Sequence, residues 1–430
     1  MTRPARLLDR CSVALSPRER QERLRVLAFT SLFPNNQQPL HGLFVRERLQ
    51  ALAQYCDIEV MAPVPWAPPC RWLGERYYRY SQVARLEQHG HLGVRHPRFF
   101  ILPKILKLSD GLLMAACCLA GVRRLRRTFT FDLIDAHWAY PDGVAAALLA
   151  QCLHLPLVLT VRGDDINVMP RQFWRRQCIR WALRRADRVI ALSEELQHGV
   201  TTLGAPPARI TVIPNGVDAQ RFHPVERRAA RARLGLPPHD RLVLAVGRLH
   251  LSKGYPILVE ALARLHEQFP DLGVVIVGAA DPEANARPVI QAVAAQYGVG
   301  HRVHLVGSQP PATLVDWYGA ADVFCLPTSR EGSANVLLEA VACGLPCVTT
   351  PVGGNADIIS SPDVGLLVPP HAQAISEAIA HCLGRTWDRQ RIAAHVQART
   401  WTAVAAECYR QFSQLFNSSS RWSEWNRRHT

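Results

Sequence analysis

The stretch of sequence that decides the fold is VFCLPTSREGSANVLLEA, residues 323–340. Its first four residues, Val323–Leu326, form an apolar run with the length of a buried strand. From Asn335 onward the apolar side chains recur at helical spacing, and small or polar residues fill the loop between the two patterns. A strand followed by a loop and a helix is the repeating unit of a parallel sheet with helical connections.

The same alternation extends in both directions from this unit. The predicted strands of the second half are Arg241–Val246, 273–277, 303–305, Val323–Leu326 and Cys347–Thr349, and those of the first half are 25–30, 57–62, 131–136, 157–161 and 188–192. Helical patterns such as 143–152 and 255–268 lie between them. The predicted fold class is therefore α/β, with two Rossmann-like, doubly wound domains that face a central cleft.

The domain boundaries follow from where the alternation stops and restarts. We predict a disordered basic arm at 1–20, an N-terminal domain at 21–212, a turn-rich linker at 213–218 and a C-terminal domain at 219–399. A last amphipathic helix at 400–417 is expected to return to the N-terminal domain, and 418–430 is expected to be a disordered tail.

The composition bounds the class of protein. With 430 residues, 48% hydrophobic and 20% charged, the chain has the profile of a soluble globular protein of two domains. Most of its net charge of +15 lies in the first half. A one-sided charge favours an anionic partner such as a lipid headgroup, a nucleic acid or an acidic substrate, although a basic solvated surface has the same composition.

The compartment is predicted from cysteines and apolar stretches. The 12 cysteines form no C-x-x-C pair, so buried free thiols in a reducing compartment are expected. The N-terminus lacks the apolar core of a signal peptide. The apolar stretches 111–122 and 143–161 are too short or too interrupted to span a bilayer, which needs about 20 residues. We therefore expect a cytoplasmic protein.

Two carboxylates frame the strongest chemical signal. Glu331 lies in the loop before the helix that starts near Asn335, and Glu339 lies one turn inside that helix. A helix start preceded by small residues offers free N–H groups and a positive dipole end to a phosphate. Glu339 could equally be a helix-face carboxylate paired with a basic neighbour. Neither half carries G-x-G-x-x-G after its first strand, which disfavours a nicotinamide-dependent dehydrogenase.

These residues resemble a known signature. Residues 329–340 are similar to the two glutamates, separated by seven residues, of the retaining GT-B glycosyltransferases, in particular glycosyltransferase family 4. The resemblance covers roughly 24–417 and includes 213–218, 246–249 with Lys253-Gly254, and 342–346 before Gly353-Gly354. Residues 136–143 and 162–167 resemble the bacterial exopolysaccharide and teichuronic-acid type.

The resemblance implies roles in the second domain, which would bind a nucleotide sugar. Glu331 would contact the transferred hexose and Glu339 the ribose. Arg248 and Lys253 would neutralise the departing diphosphate, a task that suits a guanidinium and an ammonium. The backbone around the helix start would hold the distal phosphate. The donor-binding residues implied in this domain are Gly247, Gly332, Ser333, Ala334, Asn335, Val336 and Glu339.

In the first domain, which would bind the acceptor, the resemblance implies one more donor-binding residue, Gly42, and two catalytic residues, His137 and Arg162. Gly42 would allow substrate to approach the backbone, although it could be a simple turn glycine. His137 is expected to point into the cleft, with a structural histidine as the alternative. Arg162 stands where many family members carry a histidine, and its guanidinium could bind a hydroxyl, a phosphate or a carboxylate of the sugar. Asp164-Asp165 lacks the spacing of a metal motif, so a metal-independent reaction without a cofactor is expected.

The partners are predicted from basic helices. Residues 171–185 mix arginines with tryptophans, and Arg123–Arg127 follow an apolar run. Such helices suit an anionic membrane surface and a lipid-linked acceptor, and a core helix with one charged face is the alternative. A nucleic-acid-binding protein is disfavoured because no recognised module is present.

Two further classes share the predicted cleft. A nucleotide-sugar epimerase would have the same architecture, but the paired glutamates together with Arg248 and Lys253 favour transfer of the sugar. A binding protein without activity is the least favoured class, because the charged residues expected at the cleft are all present.

Overall fold

The computed structural model describes residues 23–101, 109–281 and 284–417. The arm predicted at 1–20 and the tail predicted at 418–430 lie outside these residues. The described chain forms two α/β domains, each built on its own largely parallel sheet. Among these residues no helix has both the length and the apolar character needed to cross a bilayer.

The first sheet contains eight strands in the order β10-β9-β8-β7-β1-β2-β5-β4. They are β1 (Arg25–Phe29), β2 (Asp57–Met61), β4 (Leu86–His89), β5 (Leu92–Arg95), β7 (Leu133–His137), β8 (Leu157–Thr160), β9 (Arg188–Ala191) and β10 (Ile210–Val212), with β3 (Val64–Pro65) and β6 (Arg98–Phe99) paired separately. All pairs in the large sheet are parallel except β4 with β5. Phe29 pairs with both Met61 and Ala136, so the strand order reverses at β1.

Helices cover both faces of this sheet because its strands are apolar on both sides. Their bounds are Leu43–Leu52, Glu75–Ser81, Asp110–Arg126, Val144–Leu153, Asp164–Asn167, Phe173–Arg185 and Glu194–Thr202. Helix Asp110–Arg126 packs against Val144–Leu153 and buries Met114, Cys118 and Val122 at its contact face.

The second sheet has six parallel strands in the order β13-β12-β11-β14-β15-β16. They are β11 (Arg241–Val246), β12 (Leu272–Val277), β13 (Val303–Gly307), β14 (Val323–Leu326), β15 (Cys347–Thr349) and β16 (Gly365–Leu367). The surrounding helices are Arg227–Leu234, Tyr255–Leu265, Arg287–Gln296, Pro311–Ala320, Asn335–Ala342, Asn355–Ile358, Ala372–Gly384 and Arg389–Ala394. The order reverses between β11 and β14, and the loops after these strands therefore flank the crevice where such sheets bind ligands.

The chain crosses between the domains twice, and the two crossings are joined. Val217 donates its backbone N–H to the carbonyl of Arg399, whose guanidinium donates to the carbonyls of Pro214 and Asn215. The last helix, Trp401–Asn417, then packs against Leu43–Leu52 of the first domain. This second crossing ties the end of the chain to the first domain and limits how the domains can separate.

Candidate active site

A cleft of about 220 Å³ lies between the carboxyl ends of the two sheets. Side chains from both domains and from the crossing line it. They are Phe44, Trp138, Arg162, Asp164 and Leu192 from the first domain, Asn215 from the crossing, and Arg248, His250, Ser252, Lys253, Arg330, Glu331, Gly332, Ser333 and Asn335 from the second. The cleft thus brings together the loops after both switch-point strands of the second domain.

Lys253 and Glu331 form the central ion pair of the cleft. Lys253 ends the short turn Leu251–Lys253 after β11, and its Nζ donates to Oε1 of Glu331 in the loop after β14. Their side chains are 19% and 12% exposed, so both charges are largely withdrawn from water. Two residues separated by 78 positions are therefore presented to one point of the cleft by neighbouring strands.

Arg248 is the second cation of this loop. It follows Gly247 directly after β11, and its Nη1 donates to Oδ2 of Asp281 at 2.8 Å. Asp281 is buried, whereas the Arg248 side chain remains 71% exposed. Asp281 therefore holds one edge of the guanidinium while the remaining donors face the cleft and solvent.

The helix Asn335–Ala342 directs its amino end at the same place. Within the described part of the chain, no acceptor is found for the backbone N–H groups of Ser333, Ala334, Asn335 and Val336. Free amides at a helix start carry partial positive charge and suit an anion. The amides and the cations of the neighbouring loop favour a negatively charged ligand between them.

Gly332 lies at a close contact between the two domains. A Cβ atom on Gly332 would lie 1.8 Å from the carbonyl oxygen of Arg162 in the first domain. Only glycine permits this backbone contact, whatever its role toward a ligand. Gly353 adds a further link between the domains, since its N–H donates to Glu195.

Glu339 is placed away from Glu331, deeper along the helix. Tyr318 donates its hydroxyl to Oε2 of Glu339 at 2.8 Å. Burial, with a contribution from Glu47, raises the pKa of Glu339 to about 7, although the Tyr318 hydrogen bond opposes the rise. As for the alternative of a helix-face carboxylate paired with a basic neighbour, the hydrogen-bond partner of Glu339 is the neutral phenol of Tyr318, and the charge of Arg221 makes only a smaller, lowering contribution to its pKa.

The structure corrects the expectation that His137 points into the cleft. Its side chain is fully buried beneath Arg162, with Nδ1 accepting from Nη2 of Arg162 at 2.8 Å and Nε2 at 3.3 Å from Asp135. Burial lowers the pKa of His137 to about 4, so the ring is neutral at pH 7. The residue belongs to the layer beneath the site because the end of a central strand is covered by the next loop.

Arg162 lines the cleft, but its two terminal nitrogens are bound by protein atoms. Nη2 donates to His137 and Nη1 donates to Oδ1 of Asn215 at 3.1 Å, while the guanidinium lies over the Phe44 ring at 4.9 Å. Burial, followed by the charge of Arg48, lowers the pKa of Arg162 to about 9, which keeps it charged at pH 7. One N–H of each terminal nitrogen is therefore used inside the protein, and binding of a sugar hydroxyl, phosphate or carboxylate by Arg162 stays a prediction.

Gly42 is not among the residues that line this cleft. It precedes helix Leu43–Leu52 with φ +67°, and a Cβ atom there would lie 2.3 Å from the carbonyl oxygen of Leu32. Its left-handed conformation and this close contact explain a glycine without any substrate, so the simple turn glycine is the better description.

Trp138 is a cleft residue that the sequence motifs did not identify. It follows β7 with φ +84°, a conformation that costs a non-glycine residue about 1–3 kcal/mol and concentrates at functional sites. Phe44 and Asn215 were missed as well. Position at the end of a central strand was the available signal for Trp138, whereas no sequence pattern indicated that Asn215 of the linker is buried.

Of the two adjacent aspartates, Asp165 is bound within the first domain. Its carboxylate is fully buried and accepts the backbone N–H groups of Ala139, Arg162 and Gly163. Among the residues that the structure describes, no group of three or more His, Cys, Asp or Glu side chains could hold a metal ion. The cleft lining contains more cationic side chains than carboxylates.

Sequence comparisons find matches to known families in both halves of the chain. The model of glycosyl transferases group 1 matches residues 226–398, and that of Glycosyltransferase Family 4 matches residues 70–221. The chain is 32% identical over 362 residues to the teichuronic acid biosynthesis glycosyltransferase TuaC of Bacillus subtilis (strain 168), covering 83% of this chain and 88% of TuaC. It is 32% identical over 315 residues to the D-inositol 3-phosphate glycosyltransferase of Corynebacterium glutamicum (strain R), covering 68% of this chain and 74% of that protein.

Solved structures show the same fold at lower identity. Sucrose-phosphate synthase from Thermosynechococcus elongatus superposes with a TM-score of 0.74 and 23% identity, covering 92% of this chain and all of that one. Anabaena Alr3699/HepE, solved in complex with UDP and glucose, superposes with a TM-score of 0.67 and 21% identity, covering 91% of this chain and 99% of that one. The two domains therefore form the GT-B fold. Given the family models and the curated relatives, the chain belongs to glycosyltransferase family 4 and is a glycosyltransferase.

Proposed function

We propose that the protein transfers a hexose from a nucleotide diphosphate sugar to a glycan acceptor in polysaccharide biosynthesis, with retention of the anomeric configuration. The observation that carries the proposal is that Arg248, Lys253, Glu331 and the free amides at the start of helix Asn335–Ala342 meet in one cleft, where Lys253 donates to Glu331. A diphosphate needs positive charge from several directions, and the hexose needs an acceptor for its hydroxyls.

The donor would lie along the second domain. Its distal phosphate would accept from the amides of 333–336, and Arg248 and Lys253 would neutralise the charge that develops as the diphosphate leaves. The transferred hexose would lie against Glu331, and the ribose would lie near Glu339. A related fold, Anabaena Alr3699/HepE, is named as a complex with UDP and glucose, which supports this class of donor.

Transfer would proceed on one face of the hexose. The bond between the anomeric carbon and the phosphate oxygen breaks, and the acceptor oxygen forms its bond to the same face of that carbon. The departing phosphate oxygen takes the proton of the acceptor hydroxyl, so neither a metal ion nor a protein base is needed. The protein supplies orientation and electrostatic stabilisation, which closure of the domains about Gly332 would complete.

The acceptor would enter from the wall of the first domain. Trp138 and Phe44 line that side of the cleft, and aromatic rings pack well on the apolar faces of sugars. The name of TuaC supports a glycan acceptor of the polysaccharide type. We infer a lipid-linked form of it at the cytoplasmic face of a membrane.

A membrane contact is supported by side chains of the first domain. Phe173 and Trp174 open helix Phe173–Arg185 with 56% and 62% of their surfaces exposed, and Arg175 and Arg176 follow them. The same helix buries Ile179, Ala182 and Leu183, so it is a core helix as well as a basic aromatic one. Aromatic rings beside arginines suit the interface of an anionic bilayer, where each cation adds about 1 kcal/mol.

The donor is tested by thermal shift. The purified full-length chain is screened against UDP-, GDP- and ADP-sugars, and the donor that raises the melting temperature is incubated with a lipid-linked acceptor. We expect one base to stabilise the protein and NMR of the product to show the donor's anomeric configuration. Stabilisation by none of the three, or inversion at the anomeric carbon, would contradict the proposal.

A further inference from the structure

A chain of side-chain hydrogen bonds passes from the first domain to the second beneath the cleft. Nη1 of Arg162 donates to Oδ1 of Asn215, and Nδ2 of Asn215 donates to Oδ1 of Asn335 at 2.8 Å. Arg162 and Asn215 are buried, whereas Asn335 is half-buried and is the first residue of helix Asn335–Ala342. One residue from each domain and one from the crossing therefore form a continuous contact.

The direction of this chain is fixed by chemistry. A guanidinium has donors and no acceptor, so the group of Asn215 that faces Arg162 must be its carbonyl oxygen. The amide nitrogen of Asn215 then faces Asn335 and can only be satisfied by the carbonyl oxygen there. Asn335 is left with its own Nδ2 free, and among the described residues no acceptor is found for that nitrogen. Asn335 lines the cleft.

The guanidinium of Arg162 also makes a second contact, with His137 of the first domain. Nη2 of Arg162 donates to Nδ1 of His137, so the single proton of the neutral ring lies on Nε2, which faces Asp135. Burial alone would raise the pKa of Asp135, but His137 and Arg48 beside it hold its pKa below the ordinary value. The Arg162 guanidinium therefore lies on one side of the His137 ring and the ionised carboxylate of Asp135 lies on the other. This arrangement holds Arg162 in one orientation.

We propose that Arg162 and Asn215 are positioning residues that orient the side-chain amide of Asn335 as a donor toward a ligand phosphate. Without them the amide could rotate and present its carbonyl oxygen, which repels an anion. With them, Nδ2 of Asn335 adds one more N–H to the free backbone amides at the same helix start. This inference rests on the proposed nucleotide-sugar donor.

The hydrogen bonds through Arg162, Asn215 and Asn335 also connect ligand binding to the arrangement of the two domains. Arg162 belongs to the first domain and Asn335 to the second, so the amide is oriented only while the domains are as close as they are here. The carbonyl of Arg162 touches Gly332 at the same junction. Separation of the domains would release Asn335 and weaken the hold on the phosphate, which favours product release after transfer.

The test measures phosphate recognition separately from base recognition. UDP, GDP and ADP, and the matching nucleosides, are titrated calorimetrically into the full-length protein and into N215L, N335A and the double variant. We expect each single variant to lose about tenfold in affinity for the bound diphosphate, with nucleoside affinity within twofold of wild type. The double variant should lose no more than one single variant, because both changes remove the same interaction.

Asn215→Asp keeps the partner of Arg162 and removes only the donor to Asn335, so it covers the case in which N215L does not fold. With a carboxylate at position 215, the Asn335 side-chain amide should rotate so that its nitrogen faces that carboxylate and its oxygen faces the ligand. Diphosphate binding should therefore weaken at least as much as in N215L. Ser376→Ala removes a buried hydrogen bond on helix Ala372–Gly384 and serves as the control. Wild-type affinity in the single variants, losses that multiply in the double variant, or an equal loss of nucleoside binding would overturn the inference.

A measurement without ligand separates this inference from the proposed donor. In protein labelled with ¹⁵N-asparagine, the Asn215 side-chain amide protons should be protected from solvent exchange and those of Asn335 should exchange freely. The reverse pattern would overturn the orientation even if a diphosphate binds. Failure of the wild-type chain to bind any of the three diphosphates, with this pattern present, would instead overturn the proposed donor.

Discussion

Lys253 donates a hydrogen bond to Glu331, and this contact joins the loops that follow the two switch-point strands of the second domain. The chain contains three lysines among its 50 basic residues, and Lys253 is the one that lies in the described part. An ammonium is compact and offers its donors in any direction, whereas a guanidinium is planar. Lys253 can therefore bind Glu331 and a phosphate oxygen at once.

Replacing Lys253 with methionine should lower kcat by about 100-fold or more, the usual cost of removing one donor that stabilises developing charge. Lys253→Arg keeps the charge and should recover part of the rate. Initial rates at saturating donor and acceptor measure the effect, and circular dichroism checks the fold. A methionine variant with the rate of the wild type would show that Lys253 does not act on the leaving group.

Gly332→Ala should separate the domains, because the added methyl group would lie 1.8 Å from the carbonyl oxygen of Arg162. Transfer should fall by at least tenfold, while each domain keeps its secondary structure. Gly300→Ala is the matched control, since nothing lies within 4 Å of a Cβ atom there. Small-angle scattering and activity are measured together. A Gly332→Ala enzyme as compact and as active as the control would disprove the contact.

The free energy of unfolding should depend on pH through Glu339. Burial raises its pKa to about 7, above the value of the unfolded chain, so the folded protein favours the protonated carboxyl. The contribution of Glu339 to stability is therefore complete below the unfolded pKa and is lost as the pH rises through about 7. Denaturant titrations from pH 5 to pH 8 should show a shallower decline in Glu339→Gln. An identical slope in both proteins would mean that Glu339 titrates normally.

Ligand binding should also release a proton from Glu339. An ionised carboxylate accepts both hydroxyls of a ribose, so nucleoside diphosphate binding should strengthen as the pH rises toward 8. Calorimetry in buffers of different ionisation enthalpy measures the proton released. If the released proton persists in Glu339→Gln, another group titrates and the ribose assignment fails.

Binding to anionic vesicles should require the exposed aromatic pair of the first domain. The double change of Phe173 and Trp174 to serine should lower binding to phosphatidylglycerol vesicles at least tenfold, without changing activity on a water-soluble acceptor. Val289 and Tyr297, exposed on the second domain, provide the control when both are changed to serine. Vesicle flotation is the measurement. Equal flotation of the two double variants would place the contact elsewhere or remove it.

The sequence predicted the central strands well because their residues are apolar on both faces. Arg241–Val246, Val323–Leu326 and Cys347–Thr349 have the predicted bounds, and the others differ by one to a few residues at their ends. The sequence did not predict the hairpin formed by the edge strand β4 and its neighbour β5. β4 has no buried residue, and the two strands pair through a two-residue turn, so neither carries the apolar run that marks a parallel central strand.

Part of the candidate site could be predicted from where its residues lie relative to the strands. Glu331, Arg248 and Lys253 lie in loops directly after strands, so their position at the cleft followed from topology. His137 was predicted at the cleft by the same rule, but the loop that carries Arg162 covers it. That covering contact depends on how two neighbouring loops of the first domain pack, and the burial of Asn215 depends on how the linker lies between the two domains. Such packing leaves no periodic pattern in the sequence.

The central claim is that a nucleoside diphosphate is bound by Arg248, Lys253 and the start of helix Asn335–Ala342. Isothermal titration of UDP, GDP and ADP into the wild-type protein and into an Arg248→Met/Lys253→Met double variant tests it most directly. We predict that one diphosphate binds the wild-type protein with at least 100-fold higher affinity than the double variant. Equal affinity in the two proteins, or no binding of any of the three to the wild type, would contradict the account.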